Sequence, residues 1–197
     1  MRNDISLELA SRLTEQVKTA FENGSLLDAV TPVTQDLLKF WFMGPYTEER
    51  SKNFHEGQKQ SILNIIYLHE VLQVTTVEEI YRQVAPDLLA ECNLSDLAKE
   101  KYRIPKYAVK MATGTGKTWV MHALLLWQLL NGRHEEQEER SGRYTQNFLI
   151  VAPGLIVYDR LKDAYCGRLK ENCTERDPFT NDLYLHKDLF IPLAYRD

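Results

Sequence analysis

KYAVKMATGTGKTWVMHALLLWQLLNG, residues 106–132, changes character twice within a short distance. KYAVKM (106–111) is a short β-prone run. ATGTG (112–116) is small and glycine-rich. WVMHALLLWQLL (119–130) is then apolar almost all round, up to Asn131-Gly132. A helix that is apolar on every side is normally buried. A charged stretch, RHEEQEERSGRYTQ (133–146), reads as a solvated loop, and the helix is expected to end before it at Asn131-Gly132. NFLIVAP (147–153) follows as a continuous apolar run of strand length, the pattern of a parallel strand covered on both faces. Strand, loop, helix, loop and strand make a βαβ unit. The expected fold class is therefore α/β with a parallel sheet, preceded by an α-helical N-terminal region.

The glycine-rich turn carries specific chemistry. Small residues let consecutive backbone N–H groups curl around a phosphate as an anion nest. The helix that follows points its positive dipole end at the same phosphate. A lysine neutralises phosphate oxygens, and a Ser or Thr hydroxyl ligates Mg²⁺. Gly114 and Gly116 are the flexible positions, Lys117 the phosphate lysine and Thr118 the magnesium ligand, while Thr113 and Thr115 offer further loop N–H groups. A nucleotide with Mg²⁺ is the expected ligand, which narrows the fold class to a partial P-loop NTPase. By composition, G-x-G-K-[ST] arises by chance in roughly one chain in a hundred of this size. Met111 is a departure, because the first glycine of G-x-x-x-x-G-K-[ST] falls there. It lies at the end of the run, before the chain wraps the phosphate, so a side chain turned into the core leaves the nest intact.

Composition narrows the class. The chain has 197 residues, 44% hydrophobic and 26% charged, which fits a globular protein of one domain or one domain with a small appendage. A net charge of -4 gives no global pull toward nucleic acid, though it is compatible with a local basic groove. No run approaches the roughly 18 apolar residues of a membrane span, so no membrane partner is expected. The N-terminus MRNDISLELASRL lacks the layout of a signal peptide. Cys92, Cys166 and Cys173 are odd in number and form no CxxC pair, which favours a reducing, cytoplasmic setting over a disulfide scaffold. The same spacing argues against zinc at Cys166, Cys173 and His186.

Three regions follow along the chain. Residues 1–50 form a helical N-terminal region. Ile5, Leu9, Leu13, Val17 and Phe21 recur at helical spacing before Asn23-Gly24, and a second helix is expected from Pro32 to about Met43, ended by Gly44-Pro45. Residues 51–105 carry a helix from about His55 to Gln73 and a mostly helical insertion. Residues 106–197 hold the phosphate loop and the apolar run after it.

KMATGTGKT resembles motif I of superfamily 2 helicases, of the DEAD/DEAH type, and especially the motor of the restriction subunit of type III restriction enzymes. The first glycine is commonly replaced in that branch, so Met111 fits the resemblance. FHEGQKQSILNII (54–66) is similar to the upstream adenine-recognition segment, with Gln58 in the place of its glutamine. A glutamine amide offers a donor and an acceptor in one plane, which suits an adenine edge. FLIVAPGLIVYDRL (148–161) looks like motif Ia and implies contacts from Pro153, Gly154 and Leu155 to a DNA backbone phosphate. The resemblance covers roughly residues 54–197. It implies the first motor lobe of an ATP-dependent DNA helicase or translocase, with ATP and Mg²⁺ as cofactors, and DNA and a modification methyltransferase subunit as partners.

Such a motor also needs an Asp to hold Mg²⁺ and a Glu to orient the attacking water. The chain contains no Asp-Glu dipeptide. LIVYD (155–159) is a poor imitation: Pro153-Gly154 precedes it, as before a helix, and Arg160 follows the Asp. The expectation is an N-terminal fragment that binds nucleotide and turns it over poorly or not at all. Two alternatives stand beside it. A GTPase would need N-K-x-D and D-x-x-G segments, which do not occur, and a P-loop kinase usually opens with its loop. A non-catalytic interaction module would rest on the helical residues 1–105.

Overall fold

The computed structural model describes residues 5–92, 99–100, 106–138, 142–171 and 174–196. The chain divides into two compact units. One joins Met1–Thr31 to His55–Thr115, and the other joins Pro32–Phe54 to Gly116–Asp197.

The first unit is helical among its described residues. The i, i+4 apolar spacing gives helix Ile5–Glu22, which buries Leu13 and Val17. Gly24, at φ 83°, turns the chain into the short helix Ser25–Ala29. Helix Glu56–Ile66 packs on the first and buries Ile62, Leu63 and Ile66. Each such side chain contributes about 1.5–3 kcal/mol by leaving water. The helix widens into a π-helical turn, Tyr67–Val71, in place of an α-helix running to Gln73. That turn buries Glu70, whose carboxyl oxygen accepts a hydrogen bond from the Thr31 N–H at 2.8 Å, as a buried polar group requires. Helix Val77–Val84 is closed by a capping box between Thr76 and Glu79. Tyr81, Ala85 and Leu88 pack there with Ile5, Leu9 and Val77.

The second unit centres on helix Lys117–Gln137, which buries Val120, Ala123, Leu126, Trp127 and Leu130. Helix Pro32–Phe42 packs along it and starts with proline at its first position, where the missing N–H costs nothing. Polar bonds fix the register: the Thr34 hydroxyl oxygen accepts from Trp127 Nε1 at 3.0 Å and from Asn131 Nδ2 at 2.9 Å. Phe54, Trp119 and Phe190 meet edge to face at 5.7–6.5 Å between ring centres. Trp41 Nε1 donates to the Phe190 carbonyl at 2.9 Å.

The expected parallel sheet does not form. The one sheet among the described residues is a two-stranded antiparallel ladder, Arg168–Leu169 with Arg176–Asp177. Residues 106–112 and 147–152 have no ladder partner. Their burial explains why: Leu149 is 90% and Val151 80% exposed, so the apolar run lacks the neighbours that make a strand. A strand is defined by the chain beside it, and β-propensity is largely a measure of that packing. The βαβ reading fails with it.

The helix end is also corrected. The helix passes through Asn131-Gly132 and reaches Gln137. The Asn131 amide is engaged by Thr34 and by the Trp127 carbonyl, so it does not act as a stop. Gly132 serves a close approach: a Cβ there would lie 3.0 Å from Gln146 Cγ. Cys92 and Cys166 are free thiols, and Cys173 lies outside the described residues.

Candidate phosphate-binding site

The boundary between the two units falls inside the glycine-rich loop, between Thr115 and Gly116. On the first side, Met111 is half-buried and Thr113 and Gly114 are exposed. The turn is tied locally: the Thr115 hydroxyl donates to the Ala112 carbonyl at 2.7 Å. Gly114 has φ +81°, a left-handed conformation that a side chain would strain.

Gln58 lies beside this turn and is 3% exposed. Its Nε2 donates to the Thr115 carbonyl at 3.2 Å, and its Oε1 accepts from the His55 N–H at 3.0 Å. The Gln58 amide thus has both a donor and an acceptor bond inside the protein. Reading an adenine edge would require exchanging them. His55 was not singled out in the sequence. It is the N-cap of helix Glu56–Ile66, with Nδ1 accepting from the Gln58 N–H at 3.3 Å, and its Nε2 lies 2.8 Å from the Thr115 carbonyl oxygen. A histidine three residues before a glutamine at a helix start is the signal that could have pointed to it, as a variant of the capping box.

On the second side, Gly116 is left-handed at φ 71°, ψ 38° and opens helix Lys117–Gln137. Lys117 is exposed and Thr118 half-buried. The first turn holds no acidic residue, so nothing there opposes an anion at the positive end of the helix. Along the chain the segment carries two left-handed glycines, one lysine and one hydroxyl, in that order, up to the first turn of a long helix.

Pro153, Gly154 and Leu155 are separate in sequence and exposed. Gly154 caps helix Leu155–Cys166 in an extended conformation, and its carbonyl accepts from the Tyr158 N–H at 2.9 Å. LIVYD is therefore helical, and Asp159 is not on a strand.

The family described as type III restriction enzyme, res subunit, matches residues 51–188. The chain belongs to that family. The matched range contains the glycine-rich loop, Gln58 and the Pro153–Leu155 turn, and at family level the role is helicase-like, ATP-dependent and related to DNA. Neither curated proteins nor solved structures provide a match. No helix among the described residues is long and apolar enough to cross a membrane.

Proposed function

We propose that this chain of the res subunit family binds Mg-ATP through Thr113–Thr118, as the ATP-binding part of an ATP-dependent DNA translocase. The reading rests on one observation: two left-handed glycines, Gly114 and Gly116, run directly into the N-terminus of a helix that starts with Lys117-Thr118. Lys117 would neutralise phosphate oxygens, Thr118 would offer its hydroxyl to Mg²⁺, and Thr113 and Gly116 would offer loop N–H groups, while the Thr115 N–H would first have to leave the Ala112 carbonyl it donates to at 3.5 Å. Bound Mg-ATP supplies the phosphoryl group whose transfer drives a motor. The residues of this chain grip it, and the chain holds no Asp-Glu pair to activate water. Nucleotide is therefore bound and not turned over at a steady rate.

Calorimetric titration tests the grip. A hydrogen bond to a charged group is worth about 1.5–3 kcal/mol, so Lys117→Ala weakens Mg-ATP about ten- to a hundredfold. Unchanged affinity in that variant removes the assignment. Contacts from Pro153, Gly154 and Leu155 to a DNA phosphate, and pairing with a modification methyltransferase subunit, belong to the same proposal. They are supported by family membership and by the exposed turn.

A second reading is an interaction module that does not use nucleotide. The exposed apolar side chains of Leu149, Val151, Leu155 and Ile156 favour it, since contiguous apolar surface marks contact sites. A melting temperature that ignores Mg-ATP supports this reading over the first.

A further inference from the structure

We infer that His55 is a positioning residue for the phosphate loop, acting through the carbonyl of Thr115. The inference rests on the nucleotide reading above and adds to it a residue outside the loop.

Geometry fixes the chemistry of the ring. A backbone N–H only donates and a carbonyl oxygen only accepts. His55 Nδ1 accepts from the Gln58 N–H at 3.3 Å, a donor it shares with the His55 carbonyl at 3.0 Å. Nε2, at 2.8 Å from the Thr115 oxygen, must carry the hydrogen. The ring bridges the helix cap and the loop directly. The same Thr115 oxygen also accepts from Gln58 Nε2 at 3.2 Å, so two donors from one helix start hold one loop carbonyl.

Holding that carbonyl has a consequence across the peptide bond. The Thr115–Gly116 peptide is planar and trans, so its C=O and N–H point to opposite sides. With the Thr115 C=O drawn onto His55 and Gln58, the Gly116 N–H is turned away from them. That N–H belongs to the nest that receives phosphate in the proposed site. His55 thus orients a phosphate donor without touching phosphate, and lowers the ordering cost that binding must meet.

His55→Asn separates cap from tether. Asparagine is a good N-cap, so its side-chain oxygen still accepts from the Gln58 N–H, but the shorter side chain does not reach Thr115. In the full chain, the expected result is an unchanged melting temperature without ligand and Mg-ATP binding weakened about fivefold. In the unaltered protein, nitrogen-15 spectra are expected to show His55 Nδ1 bare and Nε2 protonated. Equal Mg-ATP affinity in His55→Asn overturns this inference alone, as does the opposite tautomer. A melting temperature that falls together with affinity assigns His55 to the cap only and also overturns it. Absence of Mg-ATP binding by the unaltered chain removes the nucleotide reading, and this inference with it.

Discussion

His122 sits fully buried on helix Lys117–Gln137, with Nε2 3.5 Å from Asp182 Oδ2 and its ring against Tyr165 and Phe190. Burial lowers its pKa below the ordinary 6.5, the Asp182 carboxylate opposes that shift, and His186 adds to it. The folded chain therefore resists a proton that the unfolded chain accepts. Stability is full above about pH 6.5 and falls as pH drops below it. Melting temperatures are expected to be lower at pH 5.5 than at pH 7.5, with a shallower slope in His122→Phe; equal slopes contradict the assignment. Among the described residues the Tyr165 hydroxyl, buried there, has no hydrogen-bond partner, so Tyr165→Phe is expected to leave stability unchanged or raise it. At this scale, the backbone of the glycine-rich loop was legible because it is local: a left-handed glycine and a lysine at a helix start are neighbours in the chain, and their role toward phosphate is the proposal. Sequence reading missed His55 and the Gln58 bond to Thr115, because Thr115 is distant from both in sequence.

Helices were legible where one face met one core. Ile5–Glu22 and Pro32–Phe42 lie almost where their apolar spacing and their Gly and Pro punctuation place them. A cap is a comparably local device. Thr76 accepts from the Glu79 N–H at 3.2 Å, while the Glu79 carboxylate accepts from the Thr75 and Thr76 N–H groups, which also lowers its pKa. Thr76→Ala is expected to lose about 1 kcal/mol in chemical denaturation. A loss near zero would mean the Val77–Val84 helix is held by Tyr81 packing alone. The elements that were not legible depend on distant partners. NFLIVAP is apolar, yet a strand needs a neighbouring chain, and its side chains are largely exposed. Asn131-Gly132 has the composition of a helix stop, yet Thr34 takes the asparagine and Gln146 crosses the glycine. A residue pair cannot announce such partners from its own spacing.

Across the whole molecule, two compact units divide within the glycine-rich loop, between Thr115 and Gly116, and the family match spans residues 51–188 across that division. The motif resemblance and the family therefore agree, while the sheet expected from the same segments does not form among the described residues. DNA binding belongs to this scale. If Pro153, Gly154 and Leu155 meet a DNA phosphate, affinity falls steeply with salt; a salt-independent affinity contradicts a phosphate contact. The central claim concerns nucleotide, and the most direct measurement is the melting free energy of the chain with and without Mg-ATP. At a hundred times the dissociation constant, ligand adds about 2.7 kcal/mol of stability. The account predicts that gain for the unaltered chain and its loss in Lys117→Ala. An unfolding transition that Mg-ATP does not move, or that it moves equally in Lys117→Ala, would contradict it.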